Sequence, residues 1–166
     1  LYLKTFINFM GPDGTGKSTQ IRRLKNKLIA NNNSVKYIHF RYPRLLSRIC
    51  LAYGKFFGFT KYEYFDDCAH SYHQFYKSKF LSFIYPYAML IDTVILWNIK
   101  KIYLSNKYNF ILLDRFVFDI IVDIMIATKN PKFHISKIAK LFIKNIPKNT
   151  IIIYLNSDYD KIKERR

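Results

Sequence analysis

The chain has 166 residues, 50% of them hydrophobic and 18% aromatic, which is apolar material enough for one buried core and excludes a disordered chain. Its formal charge of +17, from 28 Lys and Arg against 11 Asp and Glu, attracts nucleotides, nucleic acid or anionic lipid without choosing among them. Cys50 and Cys68 make no disulfide framework and suit a reducing cytoplasm, while Lys4 and Asn8 break the opening apolar run too early for a signal peptide.

In chain order, residues 3–10 (Leu-Lys-Thr-Phe-Ile-Asn-Phe-Met) are rich in aromatic and β-branched side chains and predict a strand. A glycine-rich loop follows at once. From Lys17 the pattern turns helical, with Ile21, Leu24 and Leu28 on one face, until Asn31-Asn32-Asn33-Ser34 stops it. Val35 to Phe40 predicts a second strand, and Leu45 to Phe57 a helix. Residues 59–79 read as irregular and aromatic, either an insertion or a substrate-facing segment. A long helix is predicted over about 84–104. Phe110 to Asp114 is the clearest buried strand, four apolar residues ending in an acid. Helices over Val117–Thr128 and Ile135–Ile146, a strand over Thr150–Leu155 and the start of a helix over Asp158–Arg166 complete the chain. Apolar strands alternating with helices predict an α/β domain, a parallel sheet covered on both faces.

The loop is Gly11-Pro12-Asp13-Gly14-Thr15-Gly16-Lys17-Ser18, a complete P-loop set between a predicted strand and a predicted helix. A polyphosphate is held well by several backbone N–H groups pointing inward. Gly11, Gly14 and Gly16 give the backbone that freedom, and the helix adds its positive end. Lys17 can reach the outer phosphates and Ser18 can ligate Mg²⁺. A GTPase would carry an Asn-Lys-x-Asp signature. Asn106-Lys107-Tyr108-Asn109 lacks the acid, so a kinase is favoured.

Asp114 ends a buried strand, at the sheet edge where open α/β folds bind ligands. Beside a P-loop it can hold Mg²⁺ or the metal's water. Arg115 next to it offers a planar fork for a second phosphate, and a structural Asp-Arg pair capping the next helix is the alternative.

With these motifs the chain resembles the thymidylate kinase family of nucleoside monophosphate kinases. The resemblance rests on Asp13 in the P-loop, on Arg41-Tyr42-Pro43-Arg44 after the second strand, on Asp114-Arg115-Phe116, and on Ile153-Tyr154-Leu155 followed by Asp158 and Arg165-Arg166. It implies a three-layer α/β/α P-loop kinase fold, residues 1–166 forming a single domain that stops at the start of the family's lid, short of its last strand. It implies ATP and Mg²⁺, with Gly11, Gly14, Thr15, Gly16, Lys17, Ser18 and Thr19 on the ATP phosphates and Ser18 and Asp114 at the metal. Asp13, Arg44, Asp114 and Arg115 would hold the acceptor. Lys17, Arg115, Arg165 and Arg166 would be catalytic, the last two as lid arginines, because Gly14 stands where a basic P-loop residue would otherwise supply that charge. Where the family has an Asp/Asn-Arg pair in its long helix, Asp92 is followed here by Thr93.

The expected activity is ATP-dependent phosphorylation of a nucleoside monophosphate, dTMP first, by a cytoplasmic protein whose partners are small nucleotides and which could form a homodimer. The alternatives are a kinase-like protein with another phosphorylated acceptor, or a basic P-loop module that binds nucleic acid or membrane. Phe80 to Ile99 is long enough to span a bilayer, but Pro86, Asp92 and Asn98 favour a buried helix. Cys68, His70 and His73 with Asp66-Asp67 make a weak zinc pattern. His39 and His134 read as structural. Asp119 either lines the acceptor site or favours a helix start.

Overall fold

The computed structural model describes residues 4–40, 45–65 and 68–156. Its backbone clusters into two compact units, Leu1–Arg41, Asn98–Asp119 and Ile146–Arg166 in the first, Tyr42–Trp97 and Ile120–Asn145 in the second.

The first unit is built on a four-stranded parallel sheet. Strands β1 (Thr5–Met10), β2 (Val35–His39), β5 (Phe110–Asp114) and β6 (Thr150–Tyr154) lie in the order β2-β5-β1-β6. Position in the sheet follows from side-chain burial. The central strands β5 and β1 carry buried runs, whereas β2 and β6, at the rims, hold only half-buried and exposed residues. Helix α1 (Lys17–Ala30) packs on one face. Its Ile21, with Leu24 and Leu28 beside it, meets Ile7, Phe9 and Leu112. Each fully buried side chain of this kind contributes about 1.5–3 kcal/mol. The opposite pleat of β1 and β5 presents Phe6, Asn8, Ile111 and Leu113, all buried.

The second unit contains α2 (Ser47–Phe56), most of α3 (Lys79–Lys107), the greater part of α4 (Val117–Thr128) and α5 (Lys137–Lys144). Helix α5 starts at Ser136, whose hydroxyl accepts from the Ala139 amide at 3.1 Å. Residues 59–79 differ from the expected irregular insertion. They form an antiparallel hairpin, β3 (Thr60–Phe65) with β4 (Cys68–His73), and a 3-10 turn at Phe75–Lys77. The alternation of Lys61, Tyr62, Glu63 and Tyr64 was the strand signal. Phe75 anchors this unit, fully buried and edge-on to Tyr85 at 4.7 Å.

Helix α3 is longer than predicted and carries Pro86 in its interior rather than in a first turn. By length and composition it could cross a membrane. Its mid-helix acid has a structural role instead of an exposed one. Asp92 is fully buried and accepts hydrogen bonds from the amides of Leu45, Leu46 and Ser47 at 2.8–2.9 Å and from the Ser47 hydroxyl at 2.6 Å. It thereby caps the start of α2, where backbone donors have no helical acceptor. Cys50, one turn into α2, is a buried free thiol whose pKa burial pushes up, with the Asp92 charge adding to the effect. The predicted helix over 158–166 lies outside the described residues.

Candidate nucleotide-binding site

The P-loop leaves β1 through Gly11 because no side chain fits there. Gly11 has φ 134°, and a Cβ there would stand 2.1 Å from the Leu155 carbonyl oxygen at the end of β6. Gly16 takes the left-handed φ of 85° at the N-cap of α1, so the helix begins without a capping side chain or a first-turn acid. Its leading amides are left to an anion, and the helix dipole favours negative charge there. The Thr15 hydroxyl donates to the Pro12 carbonyl at 2.9 Å and tightens the loop.

Lys17 is 7% exposed and folds back over this loop. Its ammonium donates to the carbonyls of Gly11 at 2.7 Å and Pro12 at 2.6 Å, and lies 3.7 Å from the Asp13 carboxylate. Burial lowers its pKa from 10.5, opposed by Asp13 and reinforced by Arg115.

Asp114 and Arg115 arrive on β5, one strand away from β1. Arg115 adopts φ 61°, a left-handed conformation unusual for a long side chain, and its guanidinium pairs with Asp13 and, at 3.3 Å, with Asp119. Asp13 therefore bridges two cations, Lys17 and Arg115. The Asp114 side chain is almost fully buried. One oxygen, Oδ2, accepts from the Tyr37 hydroxyl at 2.8 Å and meets His39 Nδ1 at 3.4 Å. The other, Oδ1, has no hydrogen-bond partner among the described residues.

These groups line one cleft of about 740 Å³: Asp13 to Gln20 from the loop and helix, His39 from β2, Asp114 and Arg115 from β5. The sequence-expected residues Asp13, Gly14, Thr15, Gly16, Lys17, Ser18, Thr19, Asp114 and Arg115 are brought together there, with Gly11 behind them contributing its carbonyl to Lys17. Arg44, Arg165 and Arg166 lie outside the described residues, as do Asp66 and Asp67 of the zinc pattern. His39 and Tyr37 were not read as site residues. The available signal was their spacing of two on a strand ending level with Asp114, which places both on one face.

The donor set suits Mg²⁺. Asp114, whose buried Oδ1 has no partner among the described residues, and Ser18 line one cleft, and both offer hard oxygen ligands. Among the described residues no group of three His, Cys, Asp or Glu side chains could hold a metal alone. A cation here would complete its shell with phosphate oxygens and water, as Mg²⁺ commonly does.

No protein-family model matches the sequence, and no curated protein matches it. Solved structures do match in fold. A thymidylate kinase from Ehrlichia chaffeensis is similar at 21% identity and a TM-score of 0.56, over 98% of this chain and 82% of that one. A thymidylate kinase from Candida albicans, described as having broad substrate specificity, is similar at 21% identity and a TM-score of 0.58, over 99% of this chain and 68% of that one. The chain thus has a parallel α/β fold with flanking helices, similar in fold to these two thymidylate kinases.

Proposed function

We propose that the protein transfers the γ-phosphoryl group of ATP to a nucleoside monophosphate, dTMP being the first candidate. The observation that carries this reading is that Lys17 and Ser18 share one cleft with Asp114 and Arg115. Donor-gripping and acceptor-gripping groups then face the same space.

In the reaction, an oxygen of the acceptor phosphate attacks the γ-phosphorus, the bond to the β–γ bridging oxygen breaks, and ADP leaves. The acceptor is a phosphate monoester, already ionised near neutral pH, so no general base is needed. Protein work is positioning and charge neutralisation. Loop amides and Lys17 hold the donor phosphates. Arg115, joined by Arg44, orients the acceptor, and Asp13 holds its sugar. Arg165 or Arg166 covers the transferring group. Mg²⁺, held by Ser18 and Asp114, would neutralise charge on the β- and γ-oxygens. The same reading makes the protein cytoplasmic and its partners small nucleotides, with a homodimer as the assembly to test by sedimentation.

A coupled ATP assay with dTMP, dUMP, CMP and AMP tests this, run on the wild type and Lys17→Ala. The expected result is preference for dTMP, and a loss of about 100- to 1,000-fold in Lys17→Ala with an unchanged circular dichroism spectrum. Near-normal turnover in the variant would remove the kinase reading.

One observation favours a second reading, a phosphorylated acceptor without a nucleobase. Thr93, where a base-contacting arginine would follow Asp92, is fully buried and its hydroxyl donates to the Met89 carbonyl at 2.7 Å. Lys17-dependent ATP turnover with none of the four monophosphates phosphorylated would favour this acceptor class.

A further inference from the structure

We infer that Tyr37 is a positioning residue that makes Asp114 a one-oxygen ligand, and so selects a small octahedral cation over a larger one. This rests on the reading of Asp114 as the cation-facing acid.

The register of the sheet creates the arrangement. β2 runs parallel to β5 with His39 opposite Asp114, and Tyr37, two residues earlier, lies on the same face. Both side chains approach the same carboxylate oxygen. The Tyr37 hydroxyl donates to Oδ2 at 2.8 Å, a bond of full strength, and the His39 ring nitrogen stands at 3.4 Å, a long and weak contact. Oδ1 is buried and has no partner among the described residues. The two oxygens of Asp114 are therefore unequal, one engaged and one buried without a partner among the described residues.

That inequality has a consequence for ligand choice. Ca²⁺ takes about six to eight oxygens and readily accepts both oxygens of one carboxylate, whereas Mg²⁺ demands near-ideal octahedral geometry at shorter distance. With Oδ2 held by a phenol, two-oxygen ligation requires breaking that hydrogen bond. One-oxygen ligation, or a hydrogen bond from a metal-bound water, does not. Tyr37 is 38% exposed on a rim strand, and removing its hydroxyl alone leaves the ring and its packing in place.

The test uses the full chain with a non-hydrolysable ATP analogue. Mn²⁺ retention is read by water-proton relaxation, and Mg²⁺ and Ca²⁺ are titrated as competitors. Wild type, Tyr37→Phe and Asp114→Asn are compared. The expected result is weaker Mn²⁺ retention in Asp114→Asn, and in Tyr37→Phe a shift of roughly ten-fold in the ratio of the competition constants toward Ca²⁺, the effect of one ordinary hydrogen bond. A merely structural role for Tyr37 would weaken all cations alike and leave the ratio in place. If Asp114→Asn loses Mn²⁺ while Tyr37→Phe keeps the wild-type ratio, the inference is overturned and the assignment of Asp114 survives. If Asp114→Asn retains Mn²⁺ like the wild type, the assignment falls and takes the inference with it.

Discussion

Asp92 and Asp114 are both buried carboxylates, 0% and 5% exposed, yet the chain treats them in opposite ways. Asp92 receives three amides and a hydroxyl, all from residues 45–47, and both its oxygens are engaged. Asp114 receives one good donor on Oδ2 and leaves Oδ1 without a partner among the described residues. Burying an ionised group costs several kcal/mol unless hydrogen bonds replace its water. Asp92 is compensated within its own unit. Asp114 is compensated in part, which marks it as an acid set to meet a ligand. The lesson is that burial alone does not separate structural from functional acids; the tally of donors does.

Substitution can break that contrast. Asp114→Asn is expected to cause the largest effect, a fall in phosphoryl transfer of about 100-fold or more with stability changed by less than about 1 kcal/mol, because the amide oxygen can still accept from Tyr37. Turnover and thermal melts on the same sample check it, and a large stability loss with intact activity would reverse the roles of the two acids. Asp92→Ala should do the converse. It strands the donors at the start of α2 and is expected to cost about 3 kcal/mol, lowering the melting temperature by roughly 6–12 °C for a chain of this length. Activity per folded molecule should fall far less.

The smallest effect sharpens the comparison by titration. The Tyr37 phenol has a pKa raised from 10.0 to about 12, so the fold favours its protonated form. The stability it contributes is complete below pH 10 and is lost as pH rises toward about 12. Ultraviolet titration should show one late-ionising phenol in the wild type that is missing in Tyr37→Phe; its persistence in the variant would mean that another tyrosine carries the shift.

What the sequence revealed follows the distance between cooperating residues. The P-loop was legible because Gly11 to Ser18 are contiguous and their backbone needs are local. Asp114 and Arg115 were legible because an acid ending an apolar strand fixes its own place at the sheet edge. The Asp92 cap was not, because its donors lie 45 to 47 residues away along the chain. Tyr37 and His39 were missed for a related reason: their value depends on β2 lying beside β5, and sheet order is a tertiary fact. The strands Thr60–Phe65 and Cys68–His73 read as irregular because the sequence between them carries no glycine to signal a tight turn. The roles given to Arg44, Arg165 and Arg166 rest on resemblance alone.

The backbone of Arg115 carries one more implication. A left-handed φ of 61° is a conformation that glycine would adopt freely and that a branched or long side chain resists. A chain optimised only for persistence would put glycine at this position and discard the guanidinium. Here comfort of the main chain and reach of the side chain pull against each other at a single torsion, so laboratory selection for heat resistance should drift toward glycine or asparagine at 115 and lose the fork in doing so.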